Sequence, residues 1–577
     1  MPDLVIGSRR SGPLRPWRAG GIAIALLGVA LLVSWFIYKR SVAYDEPPGV
    51  VSGEITSAQA APGASPVLTF NGSSLEWLGG LPVLHVTGDA HAIGAAHGRL
   101  LAPLLPPMIA AADACIQGTV SDDGLLGGPT HNMRLAWRWR FVDDGMVEAD
   151  RRMIAGLARG AADSGVDLAF DDVLRDQAVL DIGAPSVRSG EVDQHSIVHS
   201  LTIVAKQAQA PARVWIGRSV ALAGYDDGGD AAVPTVTIAH PEGRIAWAGV
   251  GWPGQLGVIT GINARGIAVM VDPARTSDVR PTRTARPMGF LARAVLEQAN
   301  TLDEAIKLIE STPTLGAAVI VLVDGATGTW VVIERTPSKA IIERSPKVPV
   351  LGDVLTTNAL AADPDNERAR RSLASQARVD RAAWLVRAPL PDVAAMAAVL
   401  RDQRGGRGGD EAPRPSGHRG VIDDGRASQV VILDPASLEL WVADPRANGR
   451  MRGFDLRHEL RPESSGPGSG GQRAMPPADI APDPTLDPDR AANLAAARAD
   501  LRDARADLAR GDRDRASEGC ARARARAPGL PEALELDAIV AQARGNDARA
   551  RELYQRWLDT SPDDPPGEER ARALLAR

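Results

Sequence analysis

Arg244 to Val271 reads RIAWAGVGWPGQLGVITGINARGIAVMV. Three short runs rich in β-formers and small residues, Arg244–Val250, Gly257–Thr260 and Ile267–Val271, are separated by Trp252-Pro-Gly254 and by a tight Asn263-Ala-Arg-Gly266 turn. Turn residues between such runs signal hairpins. The same grammar continues outward. Val233–Ala239 precedes this stretch, Ala317–Val323 and Thr329–Glu334 flank Asp324-Gly-Ala-Thr-Gly328, and Ser428–Leu433 and Leu438–Val442 flank Asp434-Pro-Ala-Ser437. AAVIVLVD and QVVILD are nearly continuous apolar runs, which implies strands covered on both faces. Helices are available to cover them. Thr301-Leu-Asp-Glu304 is a capping box opening a helix through Ile309. Met146–Ala161 places Met146, Met153, Ile154, Leu157 and Ala161 at helical spacing. After a short strand, Val83–Val86, a helix carries Gly94 and Gly98, whose missing side chains let it approach a neighbour closely. Hairpins layered with helices predict an α+β fold.

The chain has 577 residues, more than one core usually serves, so two or three domains are expected. A net charge of -6, with no Lys/Arg block interleaved with aromatics, argues against nucleic acid as a partner. Two cysteines far apart, Cys115 and Cys520, make neither a disulfide framework nor a zinc site. Arg9, Arg10, Arg15 and Arg18 precede an apolar run from Ala19 to Tyr38, which Lys39 and Arg40 close. Such a run spans about 30 Å as a helix. No Ala-x-Ala-like cleavage site follows at once, so the expectation is an uncleaved single-pass anchor. The arginine bias places residues 1–18 in the cytoplasm and the body outside it, periplasmic or extracellular. The expected organisation is an anchor at 19–38, a linker at 39–65, a globular body at 66–462, a Pro/Gly/Ser-rich linker at 463–489 and a helical region at 490–577.

The helical region contains two 18-residue stretches, Gly511–Pro528 and Gly545–Pro562, offset by 34 residues. Each begins with Gly, ends with Pro and has Ala at its sixth place, Ala516 and Ala550. The period resembles two tetratricopeptide repeats, about Ala497–Leu530 and Pro531–Asp564. The bland alternative is an Ala-rich helical hairpin. Cys520 falls on a packing position and reads as core filler rather than a reactive thiol.

No compact catalytic motif stands out unaided: there is no Gly-x-Ser-x-Gly elbow, no His-Glu-x-x-His and no phosphate loop. His131, His195, His199, His240 and His418 are isolated and read as surface or core residues. An ordered set of segments does carry a resemblance. HVTGDAHAIGAAHGRLLAP, MIAGLARGAADSGVDLAFDDVL, the Trp-Pro-Gly and Asn263–Gly266 stretch, LTTNALAAD, Arg378 and Arg381 in SQARVDRAAWLV, and SQVVILDPASLELWVADP follow one another. Together they resemble the penicillin-acyltransferase (isopenicillin N acyltransferase-like) family of N-terminal-nucleophile hydrolases. The resemblance implies an αββα sandwich, acting on an amide C–N bond of a small N-acylated or peptide-like substrate, with no metal and no organic cofactor.

In that family a precursor cuts itself before a cysteine, and the freed residue supplies both nucleophile and base. Here HSLTIVAK places Ser200 at the cysteine, so processing would fall at His199–Ser200. A freed α-amine can accept the serine proton near neutral pH. The family's Gly-Arg-Asn-x-Asp element reads Gly217-Arg218-Ser219-Val220-Ala221, so its aspartate is absent; Asp226 and Asp227 are the nearest carboxylates in sequence. Asn358 in Thr356-Thr357-Asn358 matches the family's oxyanion-binding asparagine, Arg426 its late arginine, and Arg218 and Asn263 are candidate substrate contacts. Each has a plainer reading: Ser200 as one serine in an apolar strand, Asn263 as a residue shaping its turn with φ > 0, Asn358 as a loop-capping amide. Cys115 lies far upstream of the cleavage point. Two readings follow, an exported, membrane-tethered amide hydrolase or acyltransferase, and a degenerate member that binds a protein partner through its helical tail.

Overall fold

The computed structural model describes residues 16–58, 66–117, 127–182, 198–222, 233–274, 285–345, 350–352, 373–405, 414–415, 417–444, 449–461, 477–485, 487, 489–560 and 565–576. The chain divides into two compact units. One comprises residues 1–45 and 122–140. In it a helix, α1 (Pro16–Val42), packs on α4 (Gly127–Trp139), with the Tyr38 hydroxyl donating to Met133 O at 2.9 Å. Ile24–Val42 is apolar and long enough to cross a membrane by length and composition.

The second unit, residues 46–121 and 141–577, holds two sheets. The larger runs β1 (Thr56–Ala58), β2 (Val67–Phe70), β3 (Ser73–Leu78), β4 (Leu81–Gly88), β7 (Thr235–Pro241), β8 (Trp247–Gly251), β9 (Thr260–Asn263), β10 (Ile267–Ala274), β11 (Ala317–Asp324), β12 (Thr329–Arg335) and β13 (Ala340–Arg344). Only β4 and β7 pair in parallel among the described ladders of this sheet. The smaller runs β14 (Val350–Gly352), β5 (Val198–Lys206), β6 (Val214–Leu222), β15 (Gln429–Asp434), β16 (Glu439–Ala443) and β17 (Met451–Asp455).

The two sheets lie face to face. Val204, Val214, Ile216, Val431 and Leu433 of the smaller sheet form one buried cluster with Val236, Ile262, Met270, Val319 and Val321 of the larger. Alternate residues of the smaller sheet, Leu201, Ile203, Trp215 and Ile432, pack outward on α10 (Leu373–Leu385) and α11 (Val393–Leu400). The larger sheet is covered by α2 (Ala90–Leu100), α8 (Met288–Gln298) and α9 (Leu302–Ser311), and α5 (Glu148–Ala162) packs on α2. Beside α5, α3 (Leu105–Gln117), α6 (Phe170–Gln177) and α7 (Val179–Ile182) pack on one another, and a single turn, α12 (Leu456–Glu459), follows β17. Period-two burial thus builds four layers, helix–sheet–sheet–helix.

The pairing of α2 with α5 uses the small residues the sequence spaces four apart. A Cβ on Gly94 would lie 2.0 Å from Met153 O, and one on Gly156 2.3 Å from His91 O. The two backbones touch, and any side chain at those positions would push them apart. One strand differs from its sequence expectation. Residues 257–259 are loop, and β9 begins at Thr260. Val258 N donates to Gly289 O at 2.9 Å, and Gly257 packs on Gly289. The segment is spent on docking α8, not on the ladder.

Residues 490–560 and 565–576 fold as successive packed helices: α13 (Arg490–Ala509), α14 (Arg513–Arg526), α15 (Pro531–Ala543), α16 (Asp547–Asp559) and α17 (Pro565–Leu575). Cys520 is buried among Leu501, Ala504, Ala533 and Leu536, and burial pushes its thiol up to about 12. Ahead of them Ile480 exchanges hydrogen bonds with Met451 and Ala478 O accepts from Trp441 Nε1, so part of the stretch expected as linker lies on the body.

Candidate functional site

On β5 the residues Ser200, Thr202 and Val204 share one face, and the Val204 side chain shows that it is the inter-sheet face. On β6 that face carries Ile216, Arg218 and Val220, and on β15 it carries Gln429, Val431 and Leu433. The ladders align Ser200 with Val220 and Val220 with Gln429, so Ser200 and Gln429 occupy one row, two strands apart. The next row aligns Thr202 with Arg218 and Arg218 with Val431. Apolar strands therefore deliver a polar group into the middle of the sandwich.

Across the gap, β10 contributes Asp272. Its Oδ1 accepts from Arg218 Nη2 at 2.8 Å and its Oδ2 from the Thr202 hydroxyl at 2.9 Å. Arg218 also donates to Ile259 O at 2.9 Å and Val271 O at 2.5 Å. Burial lowers the Arg218 pKa and the Asp272 charge opposes that shift. The triad of Thr202, Arg218 and Asp272 is thus a charge-balanced bolt between the sheets.

Beside it stand groups with no hydrogen-bond partner among the described residues. Ser200 Oγ is buried and unbonded, as are both amide atoms of Gln429 and the hydroxyl of Thr260 on β9. Buried polar atoms are nearly always hydrogen-bonded, so unpartnered ones gathered on the inter-sheet face make it the candidate site. At the end of the row Trp252 Nε1 donates to Ser428 Oγ at 3.2 Å, and Ser428 Oγ donates to Val220 O at 3.3 Å. Trp252 belongs to the Trp-Pro-Gly segment, which is pinned from the other side. Gly254 N donates to His97 Nε2 at 2.9 Å, Gln177 Nε2 donates to Gly254 O at 2.9 Å, and Leu256 N donates to Gln177 Oε1 at 2.7 Å. Burial, helped by the charge of Arg293, pulls His97 down to about 3, so it stays a neutral acceptor.

Trp252 also lines an apolar pocket with Leu105, Met108, Leu157, Leu168 and Val173. Asp176 is its acidic member. Burial, with Asp172 and Asp113 adding to it, pushes that carboxyl well above the usual range.

The residues singled out from the sequence are placed as follows. Ser200 and Arg218 come together on the inter-sheet face. Asn263 lies apart from them, fully buried at the turn; it donates to Leu296 O and Ala299 O and accepts from Arg265 N and Ile267 N at 3.0 Å each. Its side chain braces the turn while Gly266, at φ 80°, supplies the left-handed position expected of Asn263. Arg426 turns to the helical tail, paired with Glu532 of α15 and with Asp424 at 3.6 Å. Ala221 stands opposite His199 in the β5–β6 ladder. Asn358, Asp226 and Asp227 lie outside the described residues. Thr202, Thr260, Asp272 and Gln429 escaped the sequence reading. Their signal was a polar residue in the buried register of an apolar strand: Thr in SLTIVA, Asp ending IAVMVD, Gln opening QVVILD.

A helix–sheet–sheet–helix sandwich holding an enclosed row of polar side chains defines the class of protein. Comparison adds that residues 232–407 match the family model described as acyl-coenzyme A:6-aminopenicillanic acid acyl-transferase. That stretch carries part of the resemblance read from the sequence. It includes Asn263, Asp272 and Asn358, and it lies between Ser200 and Arg218 on one side and Arg426 and Gln429 on the other. An uncharacterized protein of Archaeoglobus fulgidus is 24% identical over 168 residues, 28% of this chain and 28% of that protein. The chain therefore matches little more than a quarter of the length of that relative. Two solved structures align over nearly their whole length. One is an N-acylethanolamine-hydrolyzing acid amidase ortholog of Caenorhabditis elegans, 17% identical, covering 41% of this chain and 93% of its own, with a TM-score of 0.28. The other is a mutant form of the conjugated bile acid hydrolase of Clostridium perfringens, 11% identical, covering 44% and 92%, with a TM-score of 0.29.

Proposed function

We propose that this protein is an amide hydrolase or acyltransferase of the N-terminal-nucleophile type, with Ser200 as nucleophile. The observation that carries the reading is the Ser200 hydroxyl, buried and unbonded on the inter-sheet face beside the Thr202–Asp272–Arg218 bolt. In this reading Ser200 Oγ attacks the His199 carbonyl, the acyl group moves from nitrogen to oxygen, and water hydrolyses the ester. The product is a chain beginning at Ser200 whose α-amine takes the hydroxyl proton in each later attack on an acyl-amide carbonyl. Asn358, with backbone N–H groups, holds the oxyanion. Trp252 joins the row of Ser200 to the apolar pocket, which suits the hydrocarbon part of an N-acyl substrate. The proposed setting is a single-pass anchor with the body outside the cytoplasm, and a tetratricopeptide-like tail.

N-terminal sequencing with intact-mass measurement tests it. A fragment beginning at Ser200 is expected, absent in Ser200→Ala and retained in Ser200→Cys. Turnover of N-acyl amides should rise with pH through about 7.7–8.0, as a free α-amine deprotonates. An intact wild-type chain, or unchanged hydrolysis in Ser200→Ala, overturns the reading. One observation favours the second reading, a member that binds without cutting. β5 runs unbroken through Ser200, with Val198 and His199 paired to Leu222 and Ala221, and no carboxylate stands at 221. That reading requires an intact chain and a protein partner recovered through residues 490–577.

A further inference from the structure

Gln429 is the buried group that the hydrolytic reading leaves without a task. It is 1% exposed, and neither its Oε1 nor its Nε2 has a hydrogen-bond partner among the described residues. It opens β15 on the inter-sheet face, in the row of Ser200, with Val220 between them. Two strand spacings, roughly 10 Å, separate the two backbones. The strand that bears it is anchored at this point: Ser428 N and Oγ both donate to Val220 O, and Trp252 Nε1 donates to Ser428 Oγ. The strand is thus held at this point and the amide it carries is enclosed.

A carboxamide side chain presents one acceptor and a donor side by side. Its complement is a group offering donor and acceptor on one edge, which a terminal carboxamide or a lactam does. A carboxylate offers acceptors only, so it satisfies the Gln429 N–H and sets its own lone pairs against Oε1. An aliphatic group satisfies neither atom and leaves both buried and unbonded, the costly outcome in a closed site.

We propose that Gln429 selects substrates carrying an uncharged carboxamide or lactam group beyond the scissile amide, held by paired hydrogen bonds to its side chain. The proposal rests on the inter-sheet face being the substrate site, as in the reading above, and adds the chemical class of the second group.

The test compares N-octanoylglycinamide, N-octanoylglycine and N-octanoyl-ethylamine on the full-length protein. Where the compounds are turned over, the ratio of kcat/KM values is the readout. Where they are not, the ratio of dissociation constants by calorimetry on the same protein replaces it, so a failed hydrolase leaves the selectivity measurable. The glycinamide is expected to lead both others by about tenfold or more, the usual penalty for an unpaired buried group. In Gln429→Met, a shape-preserving change, the lead over the ethylamide should fall to within about twofold. In Gln429→Glu the preference should turn toward N-octanoyl-ethylenediamine, whose ammonium matches an acceptor-only side chain. Should Gln429→Met fail to fold, Gln429→Asn keeps the amide and withdraws it by one methylene, and the lead should shrink. The proposal is overturned by a wild-type protein that does not favour the glycinamide, by one that takes none of the compounds, or by a lead that survives Gln429→Met.

Discussion

Arg218 of β6 and Asp272 of β10 form an ion pair of 2.8 Å across the two sheets, with side chains 1% and 0% exposed. A charge pair so deeply placed is poor cement, because desolvation offsets most of its attraction. Its value lies in location, since it fixes one sheet on the other one row from Ser200. Removing one partner strands the other charge in the core. Asp272→Leu should therefore lose about 3–5 kcal/mol, whereas Arg218→Met combined with Asp272→Leu should recover much of that loss. Denaturant melts of the single and double variants measure it. Equal losses in the single and double variants would show that the pair is not the coupling element.

Asp181 gives the fold a pH dependence near neutrality. Its carboxylate accepts from Met288 N at 3.0 and 3.2 Å, at the start of α8. Burial raises its pKa to about 7, although the Met288 and Gly316 N–H groups work against the shift. The native state therefore holds this proton at pH values where the unfolded chain has already released it. Stability from this group is intact below about pH 4, falls as pH rises toward 7 and is flat above, by up to about 4 kcal/mol in total. The melting temperature should decline across that window and decline less in Asp181→Asn. An identical slope in the variant would remove Asp181 as the cause.

How far residues could be read in advance follows from what decides each feature. The β11–β12 and β15–β16 hairpins were legible because their turns and apolar runs are local. The close contact of α2 and α5 was legible in Gly94 and Gly98 for the same reason. The start of β9 was not, because Gly257 and Val258 are claimed by α8, some thirty residues on, and no local pattern records that claim. Ser200 and Arg218 were singled out through segment order, and both lie on the inter-sheet face. Asp272 and Gln429 were not, because their meaning arises only when strands from distant stretches stack and leave a polar atom facing an apolar wall. Arg426 shows the converse: a residue picked for its place in the order turned out to face Glu532, more than a hundred positions away.

That contact makes the tail part of the body's architecture. Arg490 donates to Asp423 at 3.0 Å, Arg498 donates to Gly425 O at 2.7 Å and Asp424 O at 3.0 Å, and Glu532 pairs with Arg426, with Arg498 at 3.7 Å and with Arg419 at 3.8 Å. All grip residues 419–426, directly ahead of Ser428 and Gln429. Burial would push Asp424 up, but Arg426, Arg498 and Arg378 outweigh it and hold the carboxyl below its ordinary value. Its contribution is present above about pH 4 and lost as pH falls further. Glu532→Ala removes the counter-charge from enclosed guanidinium groups and should cost roughly 3 kcal/mol, the lower end for breaking a buried pair. The expected signs are a lower melting temperature and faster protease cleavage between the body and α13. Arg498→Met added to Glu532→Leu should restore part of the loss. Because the grip ends on β15, Glu532→Ala should also weaken any selectivity that Gln429 confers, and unchanged melting and cleavage would show that the tail is held by its apolar contacts alone.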